Sequence, residues 1–259
     1  MMRENLQRLV ISPSQRQEEQ IILNAAQKHY LKRVLRLNEG DCFVAMDGQG
    51  KAWLTQLSEN SAAIVEPLSL SDSELPVAVS LIVALPKGNG FDEIVRCTTE
   101  LGVSNLIPII SNRTLLKPSP QKLLRWRRIA AEAAEQSERQ LVPQVWEPLS
   151  FADFVASYGS NPATSAYICV ARGDVPHLLT CLQLQSELTS NHNQVQANIA
   201  IATGTEGGWT AQEIEQICDM GFQPVSLGKR ILRAITAPIV ALSLVAAMVE
   251  NPPLKNPTS

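Results

Sequence analysis

The chain has 259 residues, 45% of them apolar and 18% charged, with a formal net charge of −3. This length and apolar fraction support one large domain or two smaller ones, each with a full core, and exclude a disordered chain. The slight acidity argues against a simple nucleic-acid binder, and the five cysteines and three histidines lack metal-ligand spacing, so reduced thiols and no metal are expected.

No apolar segment follows the opening Met1-Met-Arg-Glu-Asn-Leu6, so no signal peptide is expected. The longest apolar stretch, Ile239 to Val249, is too short to span a bilayer. A cytoplasmic protein with no membrane partner is the expectation.

Residues 1 to about 70 read as β-rich. Leu6–Ile11 predicts a short strand, and the i, i+3, i+4 apolar spacing in His29–Arg36 predicts a short helix. Cys42–Met46 and Ala52–Leu57 predict strands around the hairpin loop Asp47-Gly-Gln-Gly50, and Ala62–Pro67 predicts another. The pattern is that of a small barrel or sandwich. The polar stretch Ser69–Pro76 is the best linker.

Beyond it the pattern changes to alternating strands and helices. Strands are expected at Val77–Leu85, Asn105–Ile110, Ser165–Ala171, Asn198–Thr203 and Pro224–Leu227. Helices are expected at Asp92–Leu101, Ser119–Arg139, Val175–Glu187, Ala211–Met220 and Ala237–Glu250. This order implies an α/β domain with a mostly parallel sheet.

Charge is unevenly spread. Residues 1–36 and residues 113–139 each carry seven Lys/Arg against three Asp/Glu, a net of +4, and the remainder is −11. Two basic segments on an acidic body fit either phosphate contacts or plain solvated faces.

Two loops in the last third stand out. Gly204-Thr-Glu-Gly-Gly208 follows the strand at 198–203, and its three glycines allow backbone to approach a ligand closely. Thr210 and Glu213 then form a capping-box pattern that opens a helix. Leu227-Gly-Lys-Arg-Ile-Leu-Arg-Ala-Ile-Thr-Ala237 gathers three cations before a long apolar helix. The dinucleotide fingerprint is absent at Pro86-Lys-Gly-Asn-Gly90, which lacks the third glycine, and no P-loop motif occurs.

These loops, with Lys87-Gly88, Glu100-Leu-Gly-Val103 and Glu135-Gln-Ser-x-Arg139, form ordered blocks. Together with Arg8, His29, Val34-Leu-Arg36, Gly40-Asp41 and Asp47-Gly-x-Gly50, the set resembles the ribosomal small subunit methyltransferase E family over nearly the whole chain. The resemblance implies a PUA-like RNA-binding β-barrel domain at 1–72. It also implies a trefoil-knotted SPOUT α/β methyltransferase domain at 73–259.

What the resemblance implies for function is S-adenosylmethionine-dependent methylation of uridine N3 in 16S rRNA, on free RNA or the assembled small subunit, by a homodimer. Carried over residue by residue, Gly204, Glu206, Gly207, Gly208, Leu227, Gly228, Ile231, Leu232, Arg233 and Thr236 would bind the cofactor. Arg139 and Arg233 would stabilise a deprotonated uracil, with Glu206 as a candidate base. Arg8, Lys32, Arg33, Arg36, Lys87, Arg113, Lys117, Arg125 and Arg128 would contact RNA. The chain departs from the family pattern at Thr205, where proline is usual, and at Ile235, where a carboxylate is usual. Those departures leave two alternatives: a relative with a weakened site, or a methyltransferase acting on another RNA position.

Overall fold

The computed structural model describes residues 6–69, 73–158, 164–189 and 198–250. They divide into two compact units. One comprises the chain to Glu74 together with Ala131–Val142, and the other comprises Leu75–Ala130 and the chain from Pro143.

The first unit holds strands β1 (Arg8–Val10), β2 (Arg16–Gln17), β3 (Gln20–Ile22), β4 (Cys42–Met46), β5 (Ala52–Leu57) and β6 (Ser61–Leu68). They pair in the order β1-β4-β5-β6-β3-β2. The β1–β4 pair is parallel and the rest are antiparallel. One face carries the core, with Ile21, Leu31, Phe43, Ala45 and Ala62 fully buried. The expected helix at 29–36 starts earlier, as α1 (Ala25–His29), and runs into a π-helical turn at Tyr30–Val34. Its start is fixed by reciprocal bonds. The Gln27 amide donates to Asn24 Oδ1 at 2.9 Å, and the Asn24 amide donates to Gln27 Oε1 at 3.0 Å.

Residues 131–142 join this unit through directed bonds. The Val142 amide donates to the Gly48 carbonyl at 2.9 Å. Arg8 pairs with Glu138 at 2.7 Å. Arg139 is 2% exposed, and its guanidinium donates to Glu74 Oε2 from Nε at 3.0 Å and from Nη2 at 2.6 Å. Glu74 lies in the linker expected at 69–76, of which residues 70–72 are outside the described ones. The Val10 amide donates to Glu135 Oε1 at 2.6 Å. Burial nevertheless pushes the Glu135 carboxyl up to about 7, with nearby Glu132 adding to the rise.

The second unit is built on a parallel sheet. Its strands are β7 (Ala78–Ala84), β8 (Asn105–Ile110), β9 (Gln144–Val145), β10 (Leu149–Ser150), β11 (Thr164–Cys169), β12 (Asn198–Thr203) and β13 (Gln223–Val225). The order is β10-β8-β7-β12-β11-β13, with β9 also on β8, and every pair is parallel. The central strands are continuous apolar runs, as burial on both faces requires. Val79, Leu81, Ile82 and Val83 of β7 and Ala200, Ile201 and Ala202 of β12 are fully buried.

Helices α2 (Gly90–Glu100), α3 (Pro120–Gln136), α4 (Phe151–Ser157), α5 (Leu178–Thr189), α6 (Ala211–Asp219) and α7 (Thr236–Glu250) follow in sequence. The division between the units passes within α3. Phe91, Ile94, Val95 and Thr98 are the buried stripe of α2, at helical spacing. Asp92 takes the Trp126 indole N–H at 3.0 Å and Arg125 Nε at 2.8 Å, which fastens α2 to α3. Helix α3 stops at Gln136, short of Arg139, because Glu138 turns to a left-handed φ of 60°.

Candidate cofactor site

A cavity of about 290 Å³ opens at the carboxyl ends of β8, β11 and β12. Open parallel sheets bind ligands there because the strand-to-helix loops converge at that edge. Its walls come from 169–172 at the end of β11, from 204–209 after β12, from Ile214 of α6, from the 227–237 segment, and from Arg113.

The first wall is the glycine loop. β12 delivers Thr203 into Gly204, where the chain doubles back. The Gly208 amide donates to the Thr205 carbonyl at 2.8 Å. A Cβ on Gly204 would stand 3.0 Å from the Gly208 carbonyl carbon and 3.2 Å from the Trp209 nitrogen, so any larger residue would press on the backbone of the turn. Thr205, in place of the usual proline, is 6% exposed and serves as the buried corner of this turn.

The capping box expected from Thr210 and Glu213 is present. The Glu213 amide donates to Thr210 Oγ1 at 3.2 Å, and the Thr210 amide donates to Glu213 Oε2 at 2.7 Å. Glu213 is fully buried and also accepts from the Asn112 amide at 2.8 Å, so one carboxylate ties α6 to the segment after β8. Next to it, the Arg113 guanidinium donates to the Gly207 carbonyl and, at 3.3 Å, to the Trp209 carbonyl. Glu206 points elsewhere. Its side chain is exposed and Oε1 accepts the Lys87 amide at 3.1 Å.

The second wall is looser. Gly228 has φ +112°, a conformation L side chains rarely adopt. Its amide donates to Ser226 Oγ at 3.0 Å. Lys229, Arg230 and Ile231 are exposed, and α7 starts with the Ala237 amide on the Arg233 carbonyl at 3.0 Å.

Of the expected cofactor residues, Gly204, Gly207, Gly208, Leu227, Gly228 and Leu232 line the cavity. Glu206, Ile231, Arg233 and Thr236 do not, and Ile231 is 65% exposed. Ile235 is not in the wall either. Its Cδ1 sits 3.0 Å from where a Gly90 Cβ would be, so it packs beside α2. Sequence reasoning missed Trp209, Arg172, Arg230, Ala234 and Ala237, all wall residues.

Among the expected RNA contacts, Arg8, Lys32, Arg113 and Arg125 are engaged within the protein. Lys32 Nζ donates to the Glu59 carbonyl at 3.0 Å, and Arg125 pairs with Asp92. Arg33, Arg36, Lys87 and Lys117 are exposed, and no side-chain bond holds them among the described residues. Arg128 is exposed as well, though it has a partner.

The residues present fit a nucleoside-bearing cofactor. Two buried polar groups, Thr203 Oγ1 and Trp209 Nε1, have no hydrogen-bond partner among the described residues. Trp209 lines the cavity, and Thr203 precedes its first glycine. Such groups call for a ligand or ordered water. Burial pushes the Cys169 thiol up to about 12, so that part of the wall is neutral. Among the described residues, no cluster of three or more His, Cys, Asp or Glu could hold a metal, and no helix is long and apolar enough to cross a membrane.

A glycine-cradled cavity on a parallel sheet, in a chain that also holds a small β-rich unit, defines a class that comparison with known proteins identifies. Residues 73–246 match the RNA methyltransferase domain family, and residues 23–67 match the RNA methyltransferase PUA domain. The ribosomal RNA small subunit methyltransferase E of Synechocystis sp. is 50% identical over 247 residues, covering 94% of this chain and 78% of that protein. The Bacillus subtilis protein of the same name is 31% identical, covering 86% of this chain and 88% of its own. A crystal structure of the Neisseria gonorrhoeae protein of that name, bound to S-adenosylmethionine, superposes with a TM-score of 0.79. It is 26% identical and covers 94% of this chain and 98% of its own. The chain belongs to the ribosomal RNA small subunit methyltransferase E family.

Proposed function

We propose that this chain transfers the methyl group of S-adenosylmethionine to N3 of a uridine in 16S rRNA. The observation that carries the reading is the cavity itself. It is walled by a glycine loop that leaves little room for a Cβ at Gly204, in a chain that matches a cofactor-bound relative over nearly its full length.

When bound, the cofactor supplies a methyl group on a sulfonium, an electrophile that needs no covalent enzyme intermediate. Gly204, Gly207 and Gly208 present main chain to it, and Leu227, Leu232 and Ala237 give an apolar wall for a purine. The work left to the protein is positioning, together with loss of the uridine N3 proton. In this reading Arg233, exposed in the loop before α7, favours the deprotonated uracil. Arg139 is committed to Glu74 and holds structure in place. Glu206, outside the cavity wall and with Oε1 on the Lys87 amide, anchors the glycine loop in this reading and is not assigned the proton transfer.

RNA is held by the exposed cations, Arg33 and Arg36 in a domain spanning 1–72 and Lys87 and Lys117 in one spanning 73–259. The reading includes the trefoil knot, a homodimer and a cytoplasmic setting, all supported by family resemblance. Ile235 lies against Gly90, outside the wall, so its departure from the usual carboxylate gives no reason to expect loss of cofactor binding. The test is incubation with labelled cofactor and unmodified small subunits, followed by digestion to nucleosides. N3-methyluridine is expected; no label, or label on a ribose, contradicts the proposal.

A further inference from the structure

The cavity wall has an unusual charge balance for a ligand that carries a cation. Among the described residues, three arginines line it, Arg113, Arg172 and Arg230, and no aspartate or glutamate does. Arg113 is held by two carbonyls, which orient its guanidinium without neutralising it. Arg172 and Arg230 are exposed and make no hydrogen bond or ion pair among the described residues. Arg230 Nη2 lies 3.9 Å from the position of a Gly228 Cβ, so it stands over the backbone of the second wall.

The carboxylates nearest in sequence do not compensate. Glu206 faces the Lys87 amide. Glu213 is buried and already accepts from the Asn112 and Thr210 amides. Asp174, two residues beyond Arg172, is exposed and makes no ion pair among the described residues.

The cofactor and its product after transfer share the adenosine and the zwitterionic amino-acid end. They differ by a methyl group and by one positive charge, since sulfonium becomes neutral thioether. A wall with an excess of cations therefore distinguishes them by Coulomb repulsion alone. We infer that the cavity binds the thioether product, S-adenosylhomocysteine, more tightly than the sulfonium cofactor, and that Arg172 and Arg230 set the difference. This rests on the cofactor reading proposed above. The repulsion is relieved as the methyl leaves, so the wall favours transfer and disfavours product release. An RNA phosphate on the same arginines offsets the repulsion, and by linkage cofactor and RNA then strengthen each other's binding.

Titration calorimetry on the full chain with each ligand tests this. At low salt the product is expected to bind about three- to tenfold tighter than the cofactor, and high salt should narrow the gap, because the arginines are exposed and screened. In Arg172→Gln/Arg230→Gln the gap should shrink mainly through tighter cofactor binding. In Arg172→Glu/Arg230→Glu the order should reverse. All four substitutions are at exposed positions, and thermal melting verifies that the fold is kept. Equal affinities in the wild type, or a gap that neither variant moves, overturn the inference and leave the cofactor site standing. Failure of the wild type to bind either ligand overturns the cofactor reading and the inference with it.

Discussion

Loop 204–210 and loop 227–235 face the same cavity but are held very differently. The first is fixed from several directions: the Gly208 amide closes its turn, Arg113 takes two of its carbonyls, the Lys87 amide takes Glu206, and Glu213 anchors its exit. In the second, Lys229 to Leu232 make no hydrogen bond among the described residues, and three of these four side chains are exposed. A bond-rich wall keeps its shape without ligand, whereas a bond-poor one is free to adjust. The cavity thus pairs a preformed cradle with a compliant, cationic edge.

The sharpest way to break this contrast is Glu213→Ala. It strips a buried acceptor from the Asn112 and Thr210 amides and should cost about 2–4 kcal/mol, measured by urea unfolding. A cost below about 1 kcal/mol would mean the first wall is not held as described. Gly204→Ala comes next. Its Cβ would press on the backbone of Gly208, so about 1–3 kcal/mol of stability and at least about tenfold in cofactor affinity should be lost.

Gly228→Ala should be milder. No atom lies nearer than 3.9 Å, so only the left-handed φ is strained, at about 1–2 kcal/mol by thermal melting. The smallest effect is expected from Ile231→Ala, within about 0.5 kcal/mol in stability and about twofold in cofactor affinity. An affinity loss matching that of Gly204→Ala would show the second loop folding Ile231 onto the ligand, and would sharpen the contrast into a closing motion.

Much of this was legible in the residues, for reasons that also mark the limit. β4, β5, β8 and β12 lie where apolar runs are bounded by turn residues, and the Thr210–Glu213 capping box is a local bond between near neighbours. The hairpin of β2 and β3 left no trace, since Arg16–Gln17 and Gln20–Ile22 are too short and polar to alternate and Glu18 between them takes φ 52°. α4 spans only seven residues, less than a periodic signal needs.

At the site, the glycines were readable because their chemistry is local. Side-chain direction in an irregular loop follows no period, so the outward turn of Ile231 was not readable. The partners of Arg113 and Arg139 were hidden as well, since Gly207 lies 94 residues from Arg113 and Glu74 lies 65 from Arg139. A basic stretch reports charge, and only the fold decides which of its cations are already taken.

Hydrogen exchange read by mass spectrometry, with and without saturating S-adenosylmethionine, tests the central claim most directly. The account predicts that amides in 205–210 are already slow without ligand and change little, while those in 229–233 are fast and become protected. A glycine loop that exchanges as fast as 229–233 in the free protein, or protection that spares both loops, would contradict it.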